Sequence, residues 1–254
     1  MAKTPTPPPS RRNPLTPFYG VLALIAIAGA GILIYKTMNR GPAGATQPVD
    51  VMVTQSELQR VPGISRGRDD APVVIYEFAD YQCPHCADWV ALVEPLVLER
   101  LIQPGLVRYV FYDFPLGGAF QHSFLAARAG RCANEQGKFW DYHGLIFARQ
   151  STWTTMSDPT DFYVDLAGQV GADEDAFESC LRSDKYAREV TLSRKLGESL
   201  GVQGTPSIFV NGERLPNIPD FSELEAVVKQ KAGQAATAPA ASASAPDTAA
   251  AAAQ

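Results

Sequence analysis

A strand, helix and second strand between Pro72 and Tyr112 do most to limit what this chain can fold into. Pro72-Val-Val-Ile-Tyr-Glu-Phe-Ala79 and Leu106-Val-Arg-Tyr-Val-Phe-Tyr112 are short runs rich in β-branched and aromatic residues, the composition of buried strands. Between them, from Cys86 to Ile102, Trp89, Val90, Leu92, Val93, Leu96, Val97 and Leu101 recur at helical spacing; Pro95 should kink that helix, and Gln103-Pro104-Gly105 ends it. A crossover of this length joins parallel neighbours, and its hand is right. The fold class is therefore α/β.

Residues 114–203 read as a helical insert, with segments near 119–135, 138–149, 160–169, 173–182 and 185–200. Ser207-Ile-Phe-Val210 is then a strand, Asn211-Gly212 a tight turn, and Glu213 the start of a returning strand. Phe221 to Lys231 closes with an amphipathic helix. The order is βαβ, insert, ββα.

The ends have a different composition. Residues 1–17 are rich in Pro and Thr and lack the apolar side chains for a core, which predicts a disordered cytoplasmic tail. Phe18 to Tyr35 is an uninterrupted uncharged run of 18 residues. At about 1.5 Å per residue it reaches roughly 27 Å, close to the ~30 Å of a bilayer's hydrocarbon, and predicts one transmembrane signal anchor. Cleavage at Ala43-Gly44-Ala45 is the alternative. Lys3, Arg11 and Arg12 on one side against Lys36 and Arg40 on the other place the body outside the cytoplasm. Residues 36–64 read as a linker or N-terminal extension, and residues 232–254, nearly all Ala, Ser, Thr, Pro, Gly and Gln, as a disordered tail. Residues 50–231 hold 17 basic and 26 acidic side chains, a balance that excludes nucleic acid as partner.

Cys83-Pro84-His85-Cys86 stands where the first strand hands over to a helix. Two sulfurs three positions apart can close a disulfide there, and the first gains most from the helix dipole. Cys83 is thus the expected nucleophile and Cys86 the resolving thiol. An imidazole at His85, beside the thiolate, would stabilise it further and make the disulfide more oxidising. The same pair is half a zinc site, but Cys132 and Cys180 lack the second close spacing that would complete one, so no metal is expected. In an oxidising compartment Cys132 and Cys180 form a structural disulfide if geometry permits, with two buried thiols as the alternative. His122 and His143 read as structural.

The run Glu77-Phe-Ala-Asp-Tyr-Gln-Cys83-Pro84-His85-Cys86 and the later Gly204-Thr205-Pro206-Ser207 resemble the DsbA-like thiol-disulfide oxidoreductases, in particular their membrane-anchored, BdbD-like branch, over residues 65–231. The resemblance implies a thioredoxin fold with a helical insertion, and a redox-active Cys83–Cys86 disulfide in place of any cofactor. It implies that Pro206 is cis and packs on that disulfide, with Thr205 offering backbone groups to an incoming peptide. It also implies that Glu77 is a buried acid that relays a proton to Cys86, with a solvent-facing strand glutamate as the alternative.

The function expected is a monomeric oxidase that introduces disulfides into exported proteins with free thiols. A membrane reoxidase of the DsbB or VKOR type would restore it, as the resemblance implies, with the catalytic domain in the periplasm or other extracytoplasmic space of a bacterial membrane. The alternatives are an isomerase or reductase kept reduced by a membrane electron donor, and a non-catalytic holdase that binds peptides beside Pro206.

Overall fold

The computed structural model describes residues 16–38 and 44–237, which fall into two units, Met1–Pro42 and Ala43–Gln254. The first holds helix α1, Thr16–Met38. Among the described residues no helix is long and apolar enough to cross a membrane. Large apolar side chains of α1, such as Leu24, Ile25 and Ile27, are exposed. The segment predicted over 18–35 is thus helical. The tail expected over 1–17 lies outside the described residues up to residue 15.

In the second unit a five-stranded sheet runs in the order β1 (Ile64–Arg66), β3 (Val107–Asp113), β2 (Val73–Ala79), β4 (Ser207–Val210), β5 (Glu213–Arg214). β2 and β3 are parallel, in register from Val73 opposite Val107 to Ala79 opposite Asp113, as the crossover required. β4 runs antiparallel to β2, with Ile208 opposite Glu77, and returns through the Asn211-Gly212 turn. Asn211 and Gly212 both take positive φ, the conformation for which this pair of residues is suited.

The predicted crossover helix is three pieces: α3 (Pro84–Leu92), α4 (Glu94–Val97) and a π-helical turn over Leu98–Ile102. Pro95 has no N–H to donate to the preceding turn, so the helix breaks there and does more than kink. Trp89, Val97 and Leu101 from these pieces meet Val73, Ile75, Tyr109, Ile208 and Val210 of the sheet. The last helix, α11 (Phe221–Thr237), adds Leu224 and Val228 to that layer. It runs past the predicted end at 231, and Ala232 packs against the core, so the tail expected over 232–254 begins later; residues 238–254 lie outside the described ones.

The insert comprises α5 (Ser123–Glu135), α6 (Phe139–Ala148), α7 (Gln150–Trp153), α8 (Thr160–Gln169), α9 (Glu174–Arg182) and α10 (Ala187–Ser199), close to the predicted segments. Its larger core joins Phe124, Phe139, Tyr142, Trp153, Tyr163 and Phe177 to the sheet through Tyr81 and Phe111. A Cys132–Cys180 disulfide ties α5 to α9.

Over its described residues, 44–64, the segment read as a linker or N-terminal extension is an extension packed on the domain. Residues 44–66 are part of the domain. Ala45 N donates to Asp184 Oδ1 (2.7 Å) and Val49 N to Thr191 Oγ1 (3.1 Å). Thr54 caps α2 (Gln55–Leu58) in a box with Glu57, and β1 adds an edge strand to β3. These contacts hold the segment because its backbone groups find partners on the insert.

Candidate active site

Cys83 is the N-cap of α3, and Pro84 occupies its first turn, where the missing N–H costs no hydrogen bond. The loop before it is held from several sides. Asp80 accepts from Gln82 N and Leu116 N, both at 2.7 Å, while Cys83 N donates to the Asp80 carbonyl (3.0 Å). Gln150, on α7 of the insert, donates its Nε2 to the carbonyls of Tyr81 (2.8 Å) and Cys83 (2.9 Å). The Thr205–Pro206 peptide is cis, and Cys83 Sγ lies 3.3 Å from the Thr205 carbonyl oxygen.

Both thiols are free, and Cys86 is wholly buried while Cys83 is 5% exposed. Their electrostatics differ. A hydrogen bond from Cys86 acts most strongly on Cys83; together with Thr205 and the amides of Cys86 and His85 it outweighs burial and lowers the Cys83 thiol to about 5. Burial, and then the neighbouring Cys83 sulfur, push Cys86 well above the usual thiol range. One sulfur is thus an anion at neutral pH and its partner a protonated thiol, the polarity that thiol-disulfide exchange needs.

His85 departs from expectation. Its side chain is 75% exposed with Nδ1 4.0 Å from an Asp88 carboxylate oxygen, and what it gives Cys83 is its backbone amide. The amides of a helix's first turn point back along the axis toward the N-cap, whereas the side chain leaves the helix sideways.

Glu77 is fully buried on β2, on the sheet face shared with Val73 and Ile75, beneath α3. Tyr109 Oη donates to its Oε2 at 2.6 Å, and Trp89 Nε1 donates to Tyr109 Oη at 3.0 Å. Burial and the negative charge of Glu94 raise its carboxyl well above the usual range, and it acts electrostatically on Cys86.

Beside Pro206 lies a cavity of about 390 Å³ lined by Gly204, Thr205, Arg214, Leu215 and Ile218. A second, of about 250 Å³, is lined by His85, Trp89, Leu92, Ile218 and Pro219. Ile218 is common to both, so they adjoin, the second against the cysteine helix and the first against Pro206.

The thioredoxin family profile matches residues 59–230. The chain is 33% identical over 171 residues to the probable disulfide bond formation protein D of Bacillus cereus, covering 66% of this chain and 77% of that one. The crystal structure of oxidised BdbD from Bacillus subtilis superposes with a TM-score of 0.62 at 25% identity, covering 76% of this chain and all of that one. The chain belongs to the DsbA-like thiol-disulfide oxidoreductases of the thioredoxin family. It is also 34% identical over 163 residues to the Na(+)/H(+) antiporter NhaA 3 of Salinispora tropica, where the match covers 64% of this chain and spans 24% of that protein.

As a DsbA-like enzyme the chain is a protein disulfide oxidoreductase that works through its redox-active cysteine pair without a cofactor. Cys83, Pro84, Cys86, Glu77, Thr205 and Pro206 come together in the structure, and Cys132 and Cys180 are spent on each other some distance along the insert. Two contributors were not singled out from sequence. Asp80, whose burial pushes its carboxyl up to about 6, had a signal in its place three residues before Cys83; Gln150 had none, because it reaches the loop from 67 residues away.

Proposed function

We propose that this oxidoreductase introduces disulfides into exported proteins that carry free thiols. The observation that supports this direction is the lowered Cys83 thiol beside a buried, protonated Cys86. A stabilised thiolate favours the reduced enzyme, so its disulfide readily takes electrons from a substrate. A substrate thiolate attacks Cys83 Sγ of the disulfide, forming a mixed disulfide, and Cys86 leaves as a thiolate that takes the proton held on Glu77. A second substrate thiolate attacks the substrate sulfur of the mixed disulfide, and Cys83 leaves as the stabilised anion. Two electrons pass to the enzyme, which a membrane reoxidase of the DsbB or VKOR type removes. Thr205 and Pro206 offer the backbone edge, and the hollows around Ile218 the apolar surface, for the substrate peptide.

In this reading α1 is a single-pass anchor in a bacterial cell membrane and the second unit works, as a monomer, in the extracytoplasmic space. The uncharged run Phe18–Tyr35 supports that placement. Equilibration of the full chain in detergent with glutathione buffers tests the direction. A potential near the roughly −120 mV of DsbA is expected; one near the roughly −270 mV of thioredoxin would assign a reductase instead.

A further inference from the structure

Beneath the cysteines a buried chain of polar groups continues past Glu77 to residues with no part in the exchange described above. Tyr109, whose hydroxyl donates to Glu77, lies opposite Arg66 in the β1–β3 register. The Arg66 guanidinium sits over the Tyr109 ring, 5.6 Å from its centroid, and over the Trp140 ring at 4.1 Å. Its Nη2 donates to Glu94 Oε2 at 2.9 Å. The other oxygen of Glu94 is 3.1 Å from His143 Nε2, and His143 Nδ1 is 3.2 Å from Tyr81 Oη. A carboxylate only accepts, so Nε2 carries the hydrogen toward Glu94. Glu94 and His143 are 5% and 1% exposed, and Glu77 Oε1 is buried with no hydrogen-bond partner.

Arg66 therefore pairs directly with Glu94 and acts on Glu77 only through its charge. The groups around the two carboxylates are Cys86 from α3, Arg66 from β1, Tyr109 from β3, His143 from α6 and Tyr81 from the loop after β2, with Asp113 beyond His143 already paired to Arg131 at 2.6 Å. Burial raises Glu94, but His143 and Arg66 outweigh it and hold it below the usual carboxylate range; burial and the charge of Glu94 hold Glu77 above it, outweighing Tyr109 and the more distant charge of Arg66. We propose that Glu94 is a positioning residue of the exchange reaction: by engaging Arg66 and His143 it denies Glu77 a counter-ion, and so keeps on Glu77 the proton that Cys86 takes when it leaves. Removing the charge of Glu94 frees Arg66 to compensate Glu77, which then ionises at lower pH and has no proton to give.

The inference rests on Glu77 acting as proton donor, and the test separates the two. The rate at which a small dithiol reduces the oxidised full chain is measured against pH in the wild type, Glu77→Gln, Glu94→Gln and the double variant. Glu94→Gln is expected to move the Glu77-dependent limb of the profile to lower pH by roughly one to three units, and Glu94→Asp to return it toward wild type. In the Glu77→Gln background Glu94→Gln is expected to cause no further shift. An unmoved profile in Glu94→Gln, or an equal shift in both backgrounds, overturns the proposal alone; a Glu77→Gln profile identical to wild type overturns it together with Glu77's role. Infrared spectra do not depend on Glu94→Gln folding: at neutral pH the wild type should show a protonated buried carboxyl band that Glu77→Gln lacks, and its absence from wild type also overturns the proposal.

Discussion

At the residue scale the exchange chemistry rests on an asymmetry between two sulfurs of the same type. Cys83 is lowered to about 5 chiefly by the hydrogen bond from Cys86, so that bond is the part to remove. Cys86→Ala should raise the Cys83 midpoint above that of the wild type, and Cys86→Ser, which keeps a donor, should raise it less; alkylation rate against pH reads both. The same asymmetry has a consequence for stability. In the unfolded chain the Cys83 thiol returns to about 9, so ionisation stabilises the reduced folded state fully above that pH, progressively less as pH falls, and not at all below about 5. The stability difference between reduced wild type and Cys83→Ala, followed by urea unfolding, should be flat below about pH 5 and widen from there toward pH 9. A difference independent of pH would show that Cys83 is not an anion in the fold.

At the scale of elements, the insert is held to itself and to the active-site loop by a few long-range ties. The Cys132–Cys180 bond closes a separation of 48 residues between α5 and α9, and its replacement by two alanines should cost about 2–4 kcal/mol in chemical denaturation. Gln150 is the tie from α7 to the loop, and it satisfies two backbone carbonyls at once. Gln150→Ala should lower stability by about 1–3 kcal/mol and raise hydrogen exchange in the 80–83 loop, since both carbonyls lose a donor. Helices α6, α8, α9 and α10 bury residues on one face, the pattern that made them legible, whereas α5 is buried on all sides from Ser123 to Ala133. The break at Pro95 was legible as a kink only, since whether a proline bends or ends a helix depends on what packs around it.

At the scale of the whole domain, one buried cation adds to the contacts that tie residues 44–49 to the insert. Arg128 on α5, 1% exposed at its side chain, donates to the carbonyls of Ala45, Leu181 and Ser183, and Gly44 lies so close that a Cβ there would meet Arg128 and the Arg182 carbonyl at 2.9 Å or less. Arg128→Ala should release residues 44–49 from the insert, seen as proteolytic cleavage there, while the central strand Val73–Ala79 keeps its hydrogen-exchange protection. The loss of stability should be about 1–3 kcal/mol, the cost of carbonyls left without a donor. Cleavage no faster than in the wild type would mean that the Asp184 and Thr191 contacts suffice.

The sequence by itself determined the elements whose cause is local: the parallel pair and its crossover, the hairpin at Asn211-Gly212, the helical faces of the insert and the placing of Cys83 at a helix start. It also carried the capping box at Thr54-Gln-Ser-Glu57, a legible signal left inside a stretch read as linker because its flanks lack apolar periodicity. Only the tertiary structure decided which groups share a buried space. That His85 turns to solvent, that Gln150 braces the loop, and that Arg66 pairs with Glu94 in the layer that buries Glu77 depend on how distant parts of the chain pack. Burial and charge act through space, and a spacing along the chain does not encode them.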